Sequence, residues 1–330
     1  MKACAICHSD ISFMRGEWGG ALPAVYGHEA SGVVEAVGEG VQAFKPGDRV
    51  VATLIRSCGT CHYCSQGSLV MCEEVFDLDK SDPIRSASGE SLHQAMRTGA
   101  FAEKILVHES QIVAIPDEMP FDEASLLACG VITGYGAAVN TAKVKPGQAV
   151  IVIGCGGVGL NVVQGAAISG AHPIIAMDLA PGKIAAARGF GATHGVDPTA
   201  ADAVETIKTL THGRGADVVF VAVGAKAAID GAFDYITRNG TVVIVGMPAT
   251  GVLASYDPST VAAWNQKILG SKMGESVIAR DIPALIEAWQ SGKLKLAELI
   301  SQRYPLDRVN EAVEAVMSGG ALRNVIVFDD

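Results

Sequence analysis

The chain has 330 residues, 49% hydrophobic and 18% charged, with a formal net charge of -10, a length that exceeds one ordinary core and sets two domains as the expectation. The acidic balance argues against nucleic acid or an anionic membrane as a main partner, because both recruit basic patches. No uninterrupted run of 18 apolar residues occurs (the stretch 149–177 is broken by glycines, Asn161, Gln164 and Ser169), so no membrane span is expected, and the absence of an apolar leader makes the cytoplasm the expected location.

In chain order, the opening "MKACAICHSD" reads as the tail of a strand running into a cluster of Cys4, Cys7, His8, Ser9 and Asp10. Short β-branched runs follow at 32–37, 49–55, 102–107 and 111–115, punctuated by turns such as "KPGD" at 45–48. The polar segment 73–99 is expected to be a long surface loop, a feature usually tied to a function or an interface. After Cys129 the texture changes. "TGYGAAVNTAKV" has helical spacing, and "AVIVIG" is a continuous apolar run of the kind buried on both faces of a sheet. Helices at 157–170, 183–191, 203–213 and 227–237 then alternate with strands at 172–178, 194–197, 216–224 and 240–246. Such alternation implies a parallel, doubly wound α/β sheet. From about residue 273 the expectation is two helices, 281–292 and 306–319, and a last strand at 324–328.

Two motifs carry chemistry by their spacing. Cys58, Cys61, Cys64 and Cys72 follow C-x2-C-x2-C-x7-C. Four thiolates so placed can close a tetrahedral zinc shell, and a closed shell is structural. In a reducing compartment, cysteines this close read as ligands rather than disulfides. Gly154, Gly156 and Gly159 form G-x-G-x-x-G between a strand and a helix, and Asp178 lies nineteen residues further on. The first glycine permits the turn, the second lets the backbone approach a pyrophosphate, and the third lets helix and strand pack. Asp178 can bind both ribose hydroxyls and would repel a 2′-phosphate, which favours NAD over NADP. Cys7, His28 and Cys129 are further zinc-type residues, dispersed along the chain. Their spacing alone leaves a joint site and three unrelated buried side chains both open.

Taken together, "CHSD", "GHEASGVV", "VGEGV", "KPGDRV", the four-cysteine lobe, "ACGVITGYGAA", the glycine fingerprint and "LRNVIVF" resemble the zinc-dependent medium-chain alcohol dehydrogenases over the whole chain. The resemblance implies a GroES-like β-rich catalytic domain at 1–130 with a zinc lobe at 57–73, a Rossmann NAD-binding domain at 131–272, and a return to the catalytic domain at 273–330. It implies two zinc ions per chain: one held by Cys7, His28 and Cys129, the other by the four-cysteine lobe. Glu29 matches the carboxylate behind the catalytic zinc, and Ser9 the hydroxyl facing the substrate alcohol. His8 and Arg323 match positions at the cofactor pyrophosphate, and Lys183 a ribose contact. Thr133 and Val158 match positions beside the nicotinamide, and Gly157 and Val245 complete the implied cofactor set.

The implied reaction is reversible oxidation of a primary alcohol, aromatic alcohols included, with hydride transfer to NAD. Reduction of an apolar aldehyde is the same chemistry reversed. The family's usual relay histidine is replaced by Ser12. By ungapped count, Trp18 and Phe76 stand where S-(hydroxymethyl)glutathione dehydrogenases hold the tripeptide with an acid and an arginine. That favours an apolar alcohol over the glutathione adduct, which is the alternative. Leu54 stands where an aromatic is common in the substrate pocket, leaving more room. Family members carry roughly forty more residues before the first zinc cysteine, so the chain is expected to lack opening strands, with exposed strand edges as the hazard. This raises a further alternative, a truncated chain that binds zinc and NAD without catalysis. A small-molecule alcohol or aldehyde partner and a homodimer complete the expectations.

Overall fold

Strands form along this chain where short apolar runs find partners, and two separate sheets result. The computed structural model describes residues 1–81 and 83–329. Asp82, within the expected loop, and Asp330, at the expected domain end, lie outside the described residues. The strands are β1 (Ala3–Ala5), β2 (Ala24–Val25), β3 (Glu29–Val33), β4 (Arg49–Ala52), β5 (His93–Gln94), β6 (Ile112–Ala114), β7 (Val150–Ile153), β8 (Ile174–Met177), β9 (His194–Val196), β10 (Ala216–Val221), β11 (Ile236–Ile244), β12 (Lys267–Gly270), β13 (Ile300–Pro305) and β14 (Arg323–Val327). The chain divides into two compact units, Met1–Gly130 with Val277–Asp330, and Val131–Ser276. The changeover thus falls at 276/277, four residues beyond the expected one.

The first unit is built on a sheet of order β13-β14-β1-β3-β4-β6. Its pairings are antiparallel except for β13 on β14. β1 is only three residues long but is paired on both sides, Cys4 standing opposite Ile326 of β14 and Ala30 of β3. Its sequence Ala-Cys-Ala is wholly buried, and Cys4 packs with Ala30, Ala52 and Ala100 in a cluster of small side chains. Such residues let neighbouring layers approach closely. Leaving β1, the chain turns at Cys7 into the helix His8–Met14.

The second unit is an all-parallel sheet of order β12-β11-β10-β7-β8-β9. β7 and β8 are buried at every residue, as expected for strands covered on both faces. Each buried Val or Ile in such a layer contributes about 1.5–3 kcal/mol of hydrophobic stabilisation. The turn after β7 uses glycine for two physical reasons. Gly154 has φ +91°, and a Cβ on Gly159 would overlap the Gly154 carbonyl oxygen, so the helix Gly157–Ile168 seats on the strand only with glycine there.

Several sequence expectations are corrected. Residues 102–107 form no strand, since no neighbouring strand offers them a ladder; Gln94 Nε2 instead donates to the Leu106 carbonyl at 2.7 Å. The run 32–37 is strand only to Val33, because β3 begins earlier, at Glu29, where β1 and β4 flank it. The helix expected at 227–237 ends early, and Ile236 opens β11. β12 and β13 were not anticipated. The loop 73–99 carries local structure, including the helix Asp77–Ser81 and β5. Among the described residues, one helix, Phe121–Thr141, is long and apolar enough to cross a membrane. Since 78% of its apolar window is buried in protein, it reads as a core helix.

Candidate active site and metal centres

The four-cysteine lobe is a local assembly. The ligand sulfurs of Cys58, Cys61, Cys64 and Cys72 all lie within 4.8 Å of one another. Backbone N–H groups point at them: Cys61 N–H donates to Cys58 Sγ at 3.3 Å and Cys58 N–H to Cys72 Sγ at 3.4 Å. Donation from the Thr60 and Cys61 backbone lowers the Cys58 thiol to about 6, so a thiolate is favoured near neutral pH. An aromatic and ionic brace lies alongside. Arg56 is buried, forms an ion pair with Asp79, and stacks over Phe76 at 4.6 Å, and Phe76 meets His108 edge-on at 4.8 Å.

The second cluster is assembled from distant parts of the first unit. Cys7, His28, Glu29 and Cys129 are all buried, and their ligand atoms lie within 4.8 Å of one another. Each arrives on a different piece of backbone. Cys7 is the residue preceding the helix His8–Met14, Glu29 is the first residue of β3, and Cys129 sits in a π-helical stretch, Leu127–Val131. Such one-turn irregularities often mark functional positions in helices.

Asp10 organises the group. Its Oδ1 accepts from Gly27 N–H at 2.9 Å and lies 3.0 Å from His28 Nδ1, and its Oδ2 accepts from Cys7 N–H at 3.2 Å. A carboxylate accepts, so Nδ1–H donates to Asp10 and Nε2 is the nitrogen left for a metal; burial opposes the charge, but Asp10 and Cys7 raise the imidazole well above its usual range, so a metal displaces the Nε2 proton on binding. That Nε2 is buried and has no hydrogen-bond partner among the described residues. An orphaned imidazole nitrogen beside two thiols is the donor set of a zinc site with an open fourth position, so the residues fit the metal. The hydrogen bond with Cys129 holds the Cys7 thiol well below its usual range, with His28 adding to the effect. The same bond, with burial, pushes Cys129 up. A metal ion would displace these protons on binding.

Glu29 closes the back of the cluster. It forms an ion pair with Arg323, and its Oε2 accepts weakly from Gly130 N–H at 3.4 Å. Burial raises its carboxyl to about 7, against the pull of Arg323. Arg323, matched by resemblance to the cofactor pyrophosphate, is here 5% exposed, packed against Gly130 and paired with Glu29. His8 is exposed and Ser9 half-buried, both in the first turn after Cys7. Cys4 points into the core, where burial raises its thiol. Trp18 packs edge-on against Phe13 at 5.3 Å.

In the second unit the fingerprint forms one end of the sheet. A Cβ on Gly156 would meet nothing within 4 Å, so the backbone there faces open space in front of the helix Gly157–Ile168. This is the cradle a phosphate group requires. Asp178 follows β8, and its carboxylate shapes the turn by accepting from Cys155 N–H at 2.8 Å and Ala180 N–H at 2.9 Å. Each oxygen keeps a second lone pair for a ribose hydroxyl. Lys183 is half-buried in the first turn of the helix Pro181–Gly189, and Val245 is buried just after β11. Thr133 is buried, its hydroxyl 3.6 Å from Met273 Sδ, and Val158 is half-buried in the fingerprint helix.

Asp10, Arg56 and Asp79 were missed as site residues by sequence reasoning. An acid three residues after a metal-type cysteine was the available signal for Asp10.

Residues 1–117 match the alcohol dehydrogenase GroES-like domain, and residues 157–291 match the zinc-binding dehydrogenase domain. An NDMA-dependent alcohol dehydrogenase of Amycolatopsis methanolica is 35% identical over 98% of this chain and 90% of its own length. The S-(hydroxymethyl)glutathione dehydrogenase of Saccharomyces cerevisiae is 36% identical over 99% of this chain and 88% of its own. The crystal structure of benzyl alcohol dehydrogenase from Acinetobacter calcoaceticus superposes with a TM-score of 0.91 at 30% identity, over 99% of this chain and 90% of that one.

Proposed function

The chain belongs to the zinc-dependent medium-chain alcohol dehydrogenase family and is an oxidoreductase, and from that premise we propose that it oxidises a primary, apolar alcohol to the aldehyde with hydride transfer to NAD. The observation that carries the reading is the buried, partnerless Nε2 of His28 beside Cys7 and Cys129. When bound, the zinc supplies a Lewis acid at its open position and NAD supplies the hydride acceptor.

The chain's own residues do the rest. Asp10 holds His28 in the tautomer that presents Nε2. Glu29 and Arg323 place a balanced charge pair behind the cluster. The Ser9 hydroxyl, two residues from Cys7, accepts the proton that leaves the substrate alcohol. Ser12, on the same helix, offers no imidazole to receive it, so the proton passes from Ser9 Oγ to water or a ribose hydroxyl. In the second unit, the open backbone at Gly156 receives the pyrophosphate and Asp178 the ribose, which favours NAD over its 2′-phosphate. The four-cysteine lobe holds a second, structural zinc.

Apolar Trp18 and Phe76 support a plain alcohol over a glutathione adduct. Phe76 is already committed to Arg56 and His108. The test pairs metal content with turnover. Two zinc ions per chain and NAD-dependent oxidation of benzyl alcohol, faster than that of S-(hydroxymethyl)glutathione, are expected. One zinc ion and no turnover of any alcohol would overturn the reading in favour of a non-catalytic chain.

A further inference from the structure

The second unit carries a groove of about 930 Å³ with no part in the reaction proposed above. It opens at the amino ends of β10 and β11, where Gly215 and Ile236 line it. The glycine fingerprint lies at the opposite, carboxyl end of the sheet, after β7. The volume is at the upper end of small-ligand clefts.

Its walls combine aromatic planes with free cations. Phe233 and Tyr256 stack with centroids 5.5 Å apart at 27°. Tyr256 is 51% and Trp264 41% exposed, so two aromatic surfaces stand in water at one groove. The Arg238 guanidinium lies over the Trp264 ring at 5.5 Å. Lys208 and Arg214 line the same groove, and among the described residues none of the three cations forms an ion pair. The acids present are mostly committed elsewhere. Asp230 is paired with Lys226 and accepts from Ser255 N–H at 2.7 Å. Asp257 caps a helix through Ser259 N–H and Thr260. Asp257 keeps its charge while capping, so among the described lining residues Asp234 and Asp257 oppose the three positive charges and leave one in excess.

We propose that this groove binds a planar aromatic anion, its ring on Tyr256 and Trp264 and its charged group on Arg238, Arg214 and Lys208. The guanidinium forks suit a carboxylate or a phosphate, and an aromatic ring stacks on Tyr and Trp at small entropic cost. An aromatic carboxylate and a nucleoside monophosphate share this chemistry.

The test is calorimetric titration of the zinc-loaded full chain, with NAD saturating the cofactor turn. One arm uses 2-naphthoate and the other uridine monophosphate. Binding of either at one site per chain is expected, and which arm binds identifies the source of the anion. Arg238→Gln and Tyr256→Ala should each weaken it about tenfold or more, with NAD affinity and Tm unchanged. Uncharged 2-naphthamide should bind more weakly than the acid. No binding of either anion at about 10 mM would overturn the proposal. So would an affinity that survives both substitutions, an amide that binds as well as the acid, or a signal lost only in Asp178→Gly.

Discussion

Replacing Asp10 by Asn tests the metal centre at its organising point. The carboxylate is fully buried and serves three donors, Gly27 N–H at 2.9 Å, His28 Nδ1–H at 3.0 Å and Cys7 N–H at 3.2 Å. A carboxamide has one oxygen and one NH2 group, so it cannot accept from both sides. With its oxygen toward Gly27 and His28, the NH2 meets the Cys7 N–H donor to donor, and an unmade buried hydrogen bond costs about 1–3 kcal/mol. Turned over, the NH2 faces Nδ1 and drives the proton to Nε2, which removes the lone pair the metal needs. Either way, zinc affinity at this centre should fall about 10–100-fold, the usual effect of losing such an outer partner. The assay is metal content by mass spectrometry across a chelator series, with the four-cysteine zinc as an internal reference. Asp10→Asn should lose the first zinc at lower chelator, retain the second, and lose kcat in step with occupancy. Urea unfolding should read the stability loss. A variant that keeps both zinc ions at the parent's chelator concentration, with kcat unchanged, would refute the reasoning.

Three other outcomes follow from the second unit. Gly156→Ala points a methyl into open space, so Tm should hold while the KM for NAD rises; Gly159→Ala drives a methyl into the Gly154 carbonyl and should cost about 3 kcal/mol or more in denaturant unfolding. Equal effects of the two would contradict the assigned roles. Asp178→Gly should raise the NADP-to-NAD ratio of kcat/KM, and an unaltered ratio would remove Asp178 from the ribose site. Burial pushes the Cys155 thiol from 9.0 to about 12. The folded chain then keeps a proton that the unfolded chain releases above about pH 9, so this group's stabilising contribution is intact below pH 9 and is lost as pH rises toward 12. Native alkylation at pH 8, mapped by peptide mass spectrometry, should spare Cys155, and rapid labelling would show that the turn opens.

What was legible in the sequence was what depends on neighbours along the chain. The four-cysteine lobe is built within fifteen residues, and the fingerprint with Asp178 spans one strand–helix–strand unit, so spacing carried both. The centre at Cys7, His28 and Cys129 is a product of sheet pairing and was reached only through family resemblance. Asp10 went unread because its partners Gly27 and His28 lie 17 and 18 residues away. The pairing of Arg323 with Glu29 went unread for a related reason, since β14 and β3 bring the two together by flanking β1. The β-branched run at 102–107 has strand composition but no ladder to join, and composition cannot report a missing partner.

The pairing of β1 with β14 has a consequence for biogenesis. The strand that delivers Cys7 is synthesised well before one of its two neighbours, β14. The whole of Val131–Ser276 emerges before β14 exists. Until then β1 has one bare edge, and Glu29 sits beside the thiols without Arg323. The four cysteines of the lobe are together once Cys72 is exposed, whereas Glu29 gains its partner Arg323 only when β14 is made. A nascent chain stalled before residue 323 would therefore hold the complete four-cysteine set while the cluster at Cys7, His28 and Cys129 lacked the charge that faces Glu29.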